Sequence, residues 1–441
     1  MTRPPRIVDA GDGWDAGGGR GSGDGLDPER GWRRGRGRRQ DGGSGLPVAG
    51  GGRLHLVRYA PAKLNLTLAV TGRRDDGFHS LHSVMVPLTL SDALTLSLAP
   101  SGAVADSLRI SGLSLSAAPE NLILRAIAAT RASVRESILG AAVETPRLAA
   151  RLSKRIPVAA GLGGGSSDAA AAISAALAIW NAALTPAQAT AVAASLGSDV
   201  PFFLARGAAL ITGHGEFVEP LPQVQGEPPA VLLVTPRLAI STASVFAAFA
   251  AGARPLPSAG PLPSAQPLPS AGPASRALAV STSLAAAMRS GLAASALIDL
   301  AGELAGANEL LPAAQSVAPD LAGFMGALGE LLKRPVGLSG SGPTMWVLYP
   351  SLPGARKAAR AVRQGMLDGR LPAIGAGEAF VVATAMAAPP EYPLAPDHDP
   401  NAGRSSHAGR PRTVHNGFGA TAPGTTGSTA EPHSSKGDDS R

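Results

Sequence analysis

A glycine cluster that leads directly into an alanine-rich run decides the fold of this chain. The stretch reads Pro157-Val158-Ala159-Ala160-Gly161-Leu162-Gly163-Gly164-Gly165-Ser166-Ser167-Asp168. Glycines let successive backbone N–H groups turn toward one point, and the start of a helix adds unpaired amides that carry about half a positive charge. A strand-like segment at 148–156 precedes the cluster, and a helix is predicted to open near Ser166. We therefore interpret the cluster as a phosphate-binding loop rather than a flexible linker.

The cluster differs from two common phosphate-binding motifs. No Lys-Ser or Lys-Thr pair follows its last glycine, as a Walker A loop requires. Its spacing also does not match a dinucleotide-binding fingerprint, which has an acidic residue about 20 positions further on. The sequence therefore predicts a phosphate loop of another kind.

An alternating stretch at 63–70 supplies a candidate cation. Lys63, Asn65 and Thr67 fall on one face of the predicted strand, and three leucines and a valine fall on the other. A strand face that contains a lysine and an asparagine is either solvated or part of a site. Lys63 by itself is more typical of a solvated face, so its role depends on what lies near it.

Asp199 supplies a candidate carboxylate. It lies between Gly197, which is predicted to end a helix capped by Thr185-Pro186, and an apolar, strand-like run at 200–203. Taken alone, an aspartate in this position is more typical of a turn. Together with Lys63 and the glycine loop it predicts a phosphoryl-transfer site, since that chemistry depends on positioning and charge stabilisation.

Composition limits what else the chain can be. Its 441 residues are 44% hydrophobic, include no cysteine and carry a net charge of +7, which excludes wholesale disorder, disulfides and thiolate chemistry. No apolar stretch reaches the ~20 residues that a membrane span needs, and the N-terminus lacks the apolar segment of a signal peptide. We expect a cytoplasmic protein with a small-molecule substrate, no membrane association and no requirement for nucleic acid; the oligomeric state stays open.

Glycine and proline are concentrated in segments that we expect not to fold. The first 53 residues contain 17 of the 55 glycines and ten arginines, and a six-residue repeat built on Pro-Leu-Pro-Ser-Ala fills 255–273. The predicted order is an extension at 1–53, an ATP-binding domain at 54–222, a second domain at 223–389 with a proline-rich insertion at 253–275, and a tail at 390–441.

Strands and helices alternate or mix along the folded part, which favours an α/β or α+β architecture. The remaining predicted strands lie at 83–90, 93–98, 208–212, 231–235 and 345–349. The remaining predicted helices lie at 121–132, 278–305 and 320–332.

Three motifs in order resemble those of a known family. The glycine loop is similar to the second motif of the GHMP kinases, the superfamily of galactokinase, homoserine kinase, mevalonate kinase and phosphomevalonate kinase. Ala60-Pro61-Ala62-Lys63-Leu64-Asn65-Leu66 resembles the first motif, and Gly337-Leu338-Ser339-Gly340-Ser341-Gly342-Pro343-Thr344 resembles the third. The resemblance implies an α+β, two-domain GHMP kinase fold with a ribosomal protein S5 domain 2-like N-terminal domain, a ferredoxin-like C-terminal domain and the active site between them. The third motif is expected to pack its glycine loop against the phosphate loop.

Further stretches resemble the superfamily members that act on 4-diphosphocytidyl-2-C-methyl-D-erythritol. They are Arg73-Arg74-Asp75-Asp76-Gly77-Phe78-His79-Ser80-Leu81, Gly197-Ser198-Asp199-Val200-Pro201-Phe202-Phe203 and Asn308-Glu309-Leu310. The resemblance implies that ATP, accompanied by Mg²⁺, phosphorylates the 2-hydroxyl of that substrate in non-mevalonate isoprenoid (terpenoid) biosynthesis.

The resemblance also assigns roles to single residues. Asp199 matches the catalytic base, and Lys63 matches the paired lysine, whose charge offsets that of the reacting oxygens. The residues expected to bind ATP are Pro157, Val158, Ala159, Ala160, Gly161, Leu162, Gly163, Gly164, Gly165, Ser166 and Ser167. Those expected to bind the substrate are Asn65, Phe78, His79, Thr242 and Phe246, with Phe78 at a position where tyrosine is common. The metal ligands stay open, with Ser167 as the best candidate.

Three alternatives remain beside this interpretation. Another GHMP kinase, of the homoserine or mevalonate type, has the same three motifs, although Phe78-His79 and the stretch 197–203 argue against it. A catalytically silent relative is disfavoured because Lys63, Asp199 and the glycine loop are all present. The arginine- and glycine-rich residues 1–53 could bind RNA in a salt-dependent way, or could lie upstream of the true translation start.

Overall fold

The computed structural model describes residues 55–73, 79–113, 121–137, 143–205, 207–238, 240–252, 275–375 and 377–387. The predicted extension at 1–53 and the predicted tail at 390–441 lie outside these ranges. So do Phe78 and all of the predicted insertion at 253–275 except Ser275. The predictions for those segments stay predictions.

The described residues contain eleven strands and eleven helices. The strands are β1 His55–Asn65, β2 Ala69–Arg73, β3 His79–Leu98, β4 Ser107–Gly112, β5 Leu148–Lys154, β6 Ala209–Gly213, β7 Phe217–Pro220, β8 Ala230–Thr235, β9 Gly337–Leu338, β10 Met345–Tyr349 and β11 Phe380–Ala385. The helices are α1 Leu122–Ser137, α2 Gly164–Ile179, α3 Pro186–Leu196, α4 Val200–Ala205, α5 Thr242–Gly252, α6 Arg276–Arg289, α7 Ala294–Asp299, α8 Ala301–Ala305, α9 Leu311–Val317, α10 Asp320–Leu332 and α11 Leu352–Leu367.

The described strands before residue 222 form one seven-stranded sheet around β3, which is 20 residues long. Strands β1 and β2 pair with one edge of β3, and β5 and β6 pair with its other edge. These pairings are antiparallel, whereas the outer strand β4 runs parallel to β5. One long strand therefore holds the first motif, at the end of β1, in register with the rest of the sheet.

The described strands after residue 223 form a second sheet of four antiparallel strands in the order β11-β8-β10-β9. Its two faces alternate, as period-two strands require. Leu232 and Val347 pack with helices on one face, while Leu233 and Trp346 join a core shared with β1 and β3 of the first sheet. This shared core joins the two sheets, so the site between them has a rigid base. The exact domain bounds stay a prediction.

Helix α2, which follows the glycine loop, is buried on nearly all sides. Twelve of its sixteen residues are buried, and most of them are alanines or other small residues. Small side chains let the helix approach α1, α4, β1 and β3 closely. A helix packed on this many elements holds its first turn, and hence the glycine loop, in one position.

Several predicted elements are confirmed. Helix α3 begins at the capping residue Thr185, whose hydroxyl accepts from Gln188 N while the Gln188 side chain bonds back to Thr185, and it ends at Gly197. Strand β10 and helix α10 coincide with the predicted segments at 345–349 and 320–332. None of the described helices combines the length and apolar character needed to cross a bilayer.

Five predicted elements differ in the structure, four of them in their extent and one in its type. The strand predicted at 63–70 is broken after Asn65, because Leu68 N bonds to Ala307 O instead of continuing along the sheet. The strands predicted at 83–90 and 93–98 are parts of the single strand β3. The helix predicted at 278–305 is three helices, with Gly291 in the left-handed region (φ 87°) at the first break.

The prediction of a strand-like run at 200–203 is wrong, because these residues form part of helix α4. The apolar side chains of Val200 and Phe202 are buried. Pro201 is tolerated because it lies in the first turn, where a backbone N–H would have no partner within the helix. Asp199 therefore immediately precedes a helix rather than a strand.

Replacing Ala172 by leucine tests how tightly α2 is packed. Ala172 is fully buried, and added methylenes in such a position usually lower the free energy of unfolding by about 1–3 kcal/mol. The matched control is Ala178→Leu in the same helix, where the side chain is exposed and a change within roughly 0.5 kcal/mol is expected. Denaturant unfolding of both variants measures the difference; equal stability would contradict the tight packing.

Candidate active site

A cleft of about 460 Å³ brings the three motifs together. It is lined by Lys63 and Asn65 from β1, by the glycine loop, by Asp199, and by Gly340 and Ser341 from the third motif. These residues come from positions spread over most of the described chain. The convergence of the motifs, and not any one of them, marks the cleft as the candidate active site.

The glycine loop turns through three left-handed residues before the helix begins, namely Ala159 and two glycines. Gly161 has φ 75° and Gly163 has φ 67°, a region that other residues rarely adopt. A Cβ on Gly161 would lie 2.4 Å from Ser339 O, and one on Gly163 would lie 2.9 Å from Lys63 Cγ. Both glycines are thus required by backbone conformation and by close approach.

The third motif packs against this loop, as predicted. Ser339 Oγ donates to Gly161 O at 3.0 Å, and Thr344 N donates to Ala160 O at 3.4 Å. Asn308 holds the same motif from the other side, because its Nδ2 donates to Leu338 O and to Gly340 O at 3.0 and 2.8 Å. The two glycine loops therefore form one rigid wall of the cleft.

Lys63 and Asp199 meet in the cleft. Lys63 Nζ lies 3.7 Å from Asp199 Oδ2 and donates to Asn65 Oδ1 at 2.5 Å. The lysine side chain is only 5% exposed, whereas the Asp199 side chain is 31% exposed. The strand face that bears Lys63 is therefore a site and not a solvated surface, and the carboxylate remains accessible to a ligand.

Of the residues predicted to bind the substrate, Asn65, Thr242 and Phe246 line the cleft, and His79 contacts Phe246 without lining it. Thr242 and Phe246 from α5 line it, and Thr242 Oγ1 lies 3.0 Å from Ser341 Oγ. The His79 ring stacks on Phe246 with centroids 5.2 Å apart and planes 25° apart. Burial, and then the positive charge of Arg73, lower the pKa of His79. A neutral imidazole offers one donor and one acceptor to a ligand.

Most residues predicted to bind ATP line the cleft, but two do not. Leu162 points into the core shared by the two sheets. The Ser167 side chain lines a separate cavity beside α2 together with Phe202 and Phe203, and its role in ATP or metal binding stays a prediction. Neighbouring helical residues point roughly 100° apart, and it is Ser166 that lines the cleft.

A buried group of three charges beneath the glycine loop was not predicted from the sequence. Lys154 Nζ lies 2.5 Å from Asp92 Oδ2 and 2.7 Å from Asp168 Oδ2, and all three side chains are almost fully buried. The group ties the first turn of α2 to β3 and β5. Gly164 is needed above it, since a Cβ there would lie 3.0 Å from Lys154 Nζ. The signal for this group in the sequence was Lys154 itself, a lysine at the end of a predicted strand and three residues before Pro157.

The two carboxylates of this group differ in their surroundings. Asp92 Oδ1 accepts from the backbone N–H groups of Arg155 and Ile156 at 2.5 and 2.9 Å. Asp168 Oδ1 has no hydrogen-bond partner among the residues that the structure describes. Burial, opposed in part by the charge of Lys154, raises the pKa of Asp168 to about 7.

Replacing Asp168 by asparagine tests this assignment. Because the folded-state pKa of about 7 lies above the ordinary 3.8, the folded state binds more protons, and the native protein loses stability as the pH rises through that window. Asp168→Asn should remove this loss and be at least as stable as the native protein at about pH 8. Thermal unfolding between about pH 5 and pH 8 measures it.

The control is Asp106→Asn, which removes a carboxylate that pairs with the buried Arg131 at 2.7 Å. An uncompensated buried charge should lower the free energy of unfolding by about 3–5 kcal/mol at every pH tested. If Asp168→Asn is destabilised as strongly as Asp106→Asn, the raised pKa of Asp168 is wrong.

Known proteins resemble this chain in sequence. A family model described as the GHMP kinases N terminal domain matches residues 121–207. A 4-diphosphocytidyl-2-C-methyl-D-erythritol kinase from Pelotomaculum thermopropionicum is 37% identical over 317 residues, which cover 70% of this chain and 94% of that protein. A kinase of the same name from Prochlorococcus marinus is 44% identical over 189 residues, 43% of this chain and 56% of that protein.

Solved structures resemble it in fold. A crystal structure of 4-(cytidine 5'-diphospho)-2C-methyl-D-erythritol kinase matches with a TM-score of 0.51 and 29% identity over 75% of this chain and 99% of that chain. A mevalonate pyrophosphate decarboxylase from Streptococcus pyogenes matches with a TM-score of 0.51 at 12% identity, over 77% and 99% of the two chains, and shows the fold alone. The predicted α+β fold is confirmed. Because a relative 37% identical to the chain is covered over 94% of its length, and the GHMP kinase model matches across the glycine loop, the chain belongs to the GHMP kinase family.

Proposed function

We infer that this protein is a 4-diphosphocytidyl-2-C-methyl-D-erythritol kinase, which uses ATP to phosphorylate the 2-hydroxyl of its substrate in non-mevalonate isoprenoid biosynthesis. The named activity of the relative that matches over nearly its full length supports the assignment. The observation that carries it is the pairing of Lys63 with Asp199 in the cleft that the glycine loop also lines. A cytoplasmic location stays a prediction.

Asp199 is the group that accepts the proton. As the substrate hydroxyl oxygen forms its bond to the γ-phosphorus, the bond from that phosphorus to the β–γ bridging oxygen breaks, and the hydroxyl proton passes to the Asp199 carboxylate. A tertiary alcohol is a weak nucleophile, so a positioned base assists the attack. The partial exposure of Asp199 toward the cleft suits this contact.

Lys63 supplies positive charge beside the reacting atoms. Its ammonium is buried, and Asn65 accepts one of its three hydrogens. At a buried position, a fixed cation stabilises the negative charge that builds up on the transferred group more strongly than it would in solution. The remaining N–H groups are free to face Asp199 and the phosphoryl oxygens.

The glycine loop and the start of α2 fit the phosphates of ATP. The two left-handed glycines direct backbone toward the cleft, and a sixteen-residue helix begins at Gly164. Mg²⁺ prefers oxygen ligands and often takes few from the protein. Ser166, which lines the cleft at the start of α2, is an oxygen donor that would hold it; the described residues contain no cluster of three acidic or histidine side chains. When bound, the metal neutralises phosphate charge.

The cytosine of the substrate is proposed to bind at His79 and Phe246. The neutral His79 ring can pair with the edge of a pyrimidine, and Phe246 offers an aromatic face. The two rings now stack on each other, and rings in contact lie about 3.5–4 Å apart. A base that entered between them would therefore have to separate them, whereas one that stacked on the outer face of Phe246 would not.

Turnover of the proposed substrate tests the function directly. With ATP and Mg²⁺ the protein should convert 4-diphosphocytidyl-2-C-methyl-D-erythritol and release ADP. Asp199→Asn should lower kcat by at least about 100-fold while ATP still binds, because the base is lost and the phosphate loop is unchanged. Coupled ADP release and calorimetric ATP titration measure the two effects. Equal turnover of homoserine or mevalonate would contradict the substrate assignment.

Replacing Phe246 by alanine tests the cytosine site. Loss of a stacking contact worth about 1–3 kcal/mol should raise the KM for the cytidyl substrate roughly five- to hundredfold, with the KM for ATP unchanged. Phe246→Leu is the matched control, which keeps apolar volume but lacks an aromatic face. If leucine restores the native KM, packing rather than stacking explains the role of Phe246.

A further inference from the structure

A chain of buried polar groups extends from Lys63 away from the cleft to helix α6. After Asn65 it passes through Ser83 on β3, Thr67 in the break between β1 and β2, and Ser281 on α6. The side chains of Ser83, Thr67 and Ser281 are at most 1% exposed. None of them lines the cleft, so they cannot touch the substrate or ATP.

The hydrogen bonds at the cleft end have a fixed direction. The single proton of the Ser83 hydroxyl is donated to Thr67 O at 2.6 Å. Ser83 Oγ can therefore only accept from Asn65, whose Nδ2 lies 2.9 Å away. With its NH₂ end held there, the Asn65 amide must present Oδ1 to Lys63 Nζ. The ammonium thus meets an acceptor and not another donor.

The far end of the chain continues in the same direction. Thr67 Oγ1 accepts from Val84 N at 3.0 Å and donates to Ser281 Oγ at 2.8 Å. Ser281 Oγ lies 2.9 Å from His82 Nδ1, to which it can donate its own proton. Burial, followed by the positive charge of Arg289, lowers the pKa of His82, which favours the neutral ring that accepts at Nδ1. The Ser83 proton goes to the Thr67 carbonyl and the Thr67 hydroxyl proton goes to Ser281, so the Thr67 side chain acts on Ser83 only through the position of its own backbone.

We propose that Ser83 is a positioning residue for the catalytic Lys63, acting through the orientation of Asn65. Thr67 and Ser281 support it, because the bonds of the Thr67 hydroxyl fix the Thr67 carbonyl that accepts the Ser83 proton. The backbone of Asn65 is placed separately, since its N–H donates to Ser339 Oγ at 3.4 Å. The Ser83 hydroxyl sets only which end of the amide faces the lysine. If the amide turned over, its NH₂ would face the ammonium, and Lys63 would move away from Asp199.

The proposal rests on the proposed function, in which Lys63 and Asp199 act together. It adds that helix α6, from the second half of the chain, supports the catalytic pair from behind through Ser281. A buried polar chain of this kind is worth more than its separate bonds, because each hydroxyl is satisfied only while its neighbours hold their orientation.

Ser83→Ala is the first test. It removes the acceptor for Asn65 Nδ2, so kcat should fall roughly ten- to hundredfold, as misplacement of a catalytic group by about 1 Å can cause, while the KM values for both substrates stay near native. Ser83→Thr keeps the hydroxyl and should restore most of kcat. The second pair is Thr67→Val, which keeps the shape but loses the hydroxyl bonds that fix the Thr67 carbonyl, and Thr67→Ser, which keeps them; kcat should fall less in Thr67→Val than in Ser83→Ala and should return close to native in Thr67→Ser.

The control is Thr130→Val, which removes a fully buried hydroxyl that bonds only within helix α1, to Ala126 O at 2.7 Å. It should lower thermal stability as much as Thr67→Val does and leave kcat unchanged. If Thr130→Val lowers kcat as well, loss of any buried hydroxyl is sufficient, and the positioning role is wrong.

A double-mutant cycle with Asn65→Ala decides how Ser83 acts. If Ser83 works through the amide, adding Ser83→Ala to Asn65→Ala should change kcat by less than about twofold, because coupled residues are not additive. The proposal fails if the effects of the two substitutions on kcat multiply, or if Ser83→Ala keeps the native kcat. Neither result affects the proposed function, provided that the native protein turns over the cytidyl substrate. If the native protein does not turn over the cytidyl substrate, the proposed function fails and the positioning role fails with it.

Discussion

The contact between the two glycine loops is the constraint on which the site depends. Ser339 bonds to Gly161 O, and the backbones approach so closely that a Cβ on Gly161 would overlap Ser339 O. The loops come from residues 178 positions apart, so their contact holds the two halves of the chain at a fixed distance. The position of Gly340 and Ser341 opposite Lys63, Asp199 and the helix start, which line the same cleft, follows from it.

Three buried charged side chains lie beneath the glycine loop and support it. Lys154 bonds two carboxylates, of which Asp92 is also held by two backbone N–H groups. One carboxylate oxygen of Asp168 has no hydrogen-bond partner among the described residues. Asp168 is therefore the carboxylate that holds the proton when the net charge of the three side chains is close to zero. Burying an unpaired charge is far more unfavourable than protonating it. The phosphate loop thus rests on an anchor whose charge state depends on pH.

The residues that sequence reasoning found are those with local signals. The glycine loop, the capped helix α3 and the apolar strand β10 each follow from a few adjacent residues. Local signals do not predict the structure where packing against distant elements decides whether a segment is a helix or a strand, or which side chain faces the cleft. The run at 200–203 has the composition of a strand but is a helix, because it packs on α2 and α3. Ser166 and Ser167 are alike in sequence, and only the placement of α2 shows which of them faces the cleft.

Local patterns indicated a glycine loop before a helix, a lysine on a strand and an aspartate after a helix stop, which together predict phosphoryl transfer, because glycine conformations, capping residues and periodicity act over a few neighbouring positions. The burial of the lysine, the three charges beneath the loop and the hydrogen bond from Asn65 to Ser83 are features of the tertiary structure alone. These features join residues such as Asn65 and Ser339, which are 274 positions apart. Contacts at that separation depend on how the two sheets pack, which no local pattern specifies.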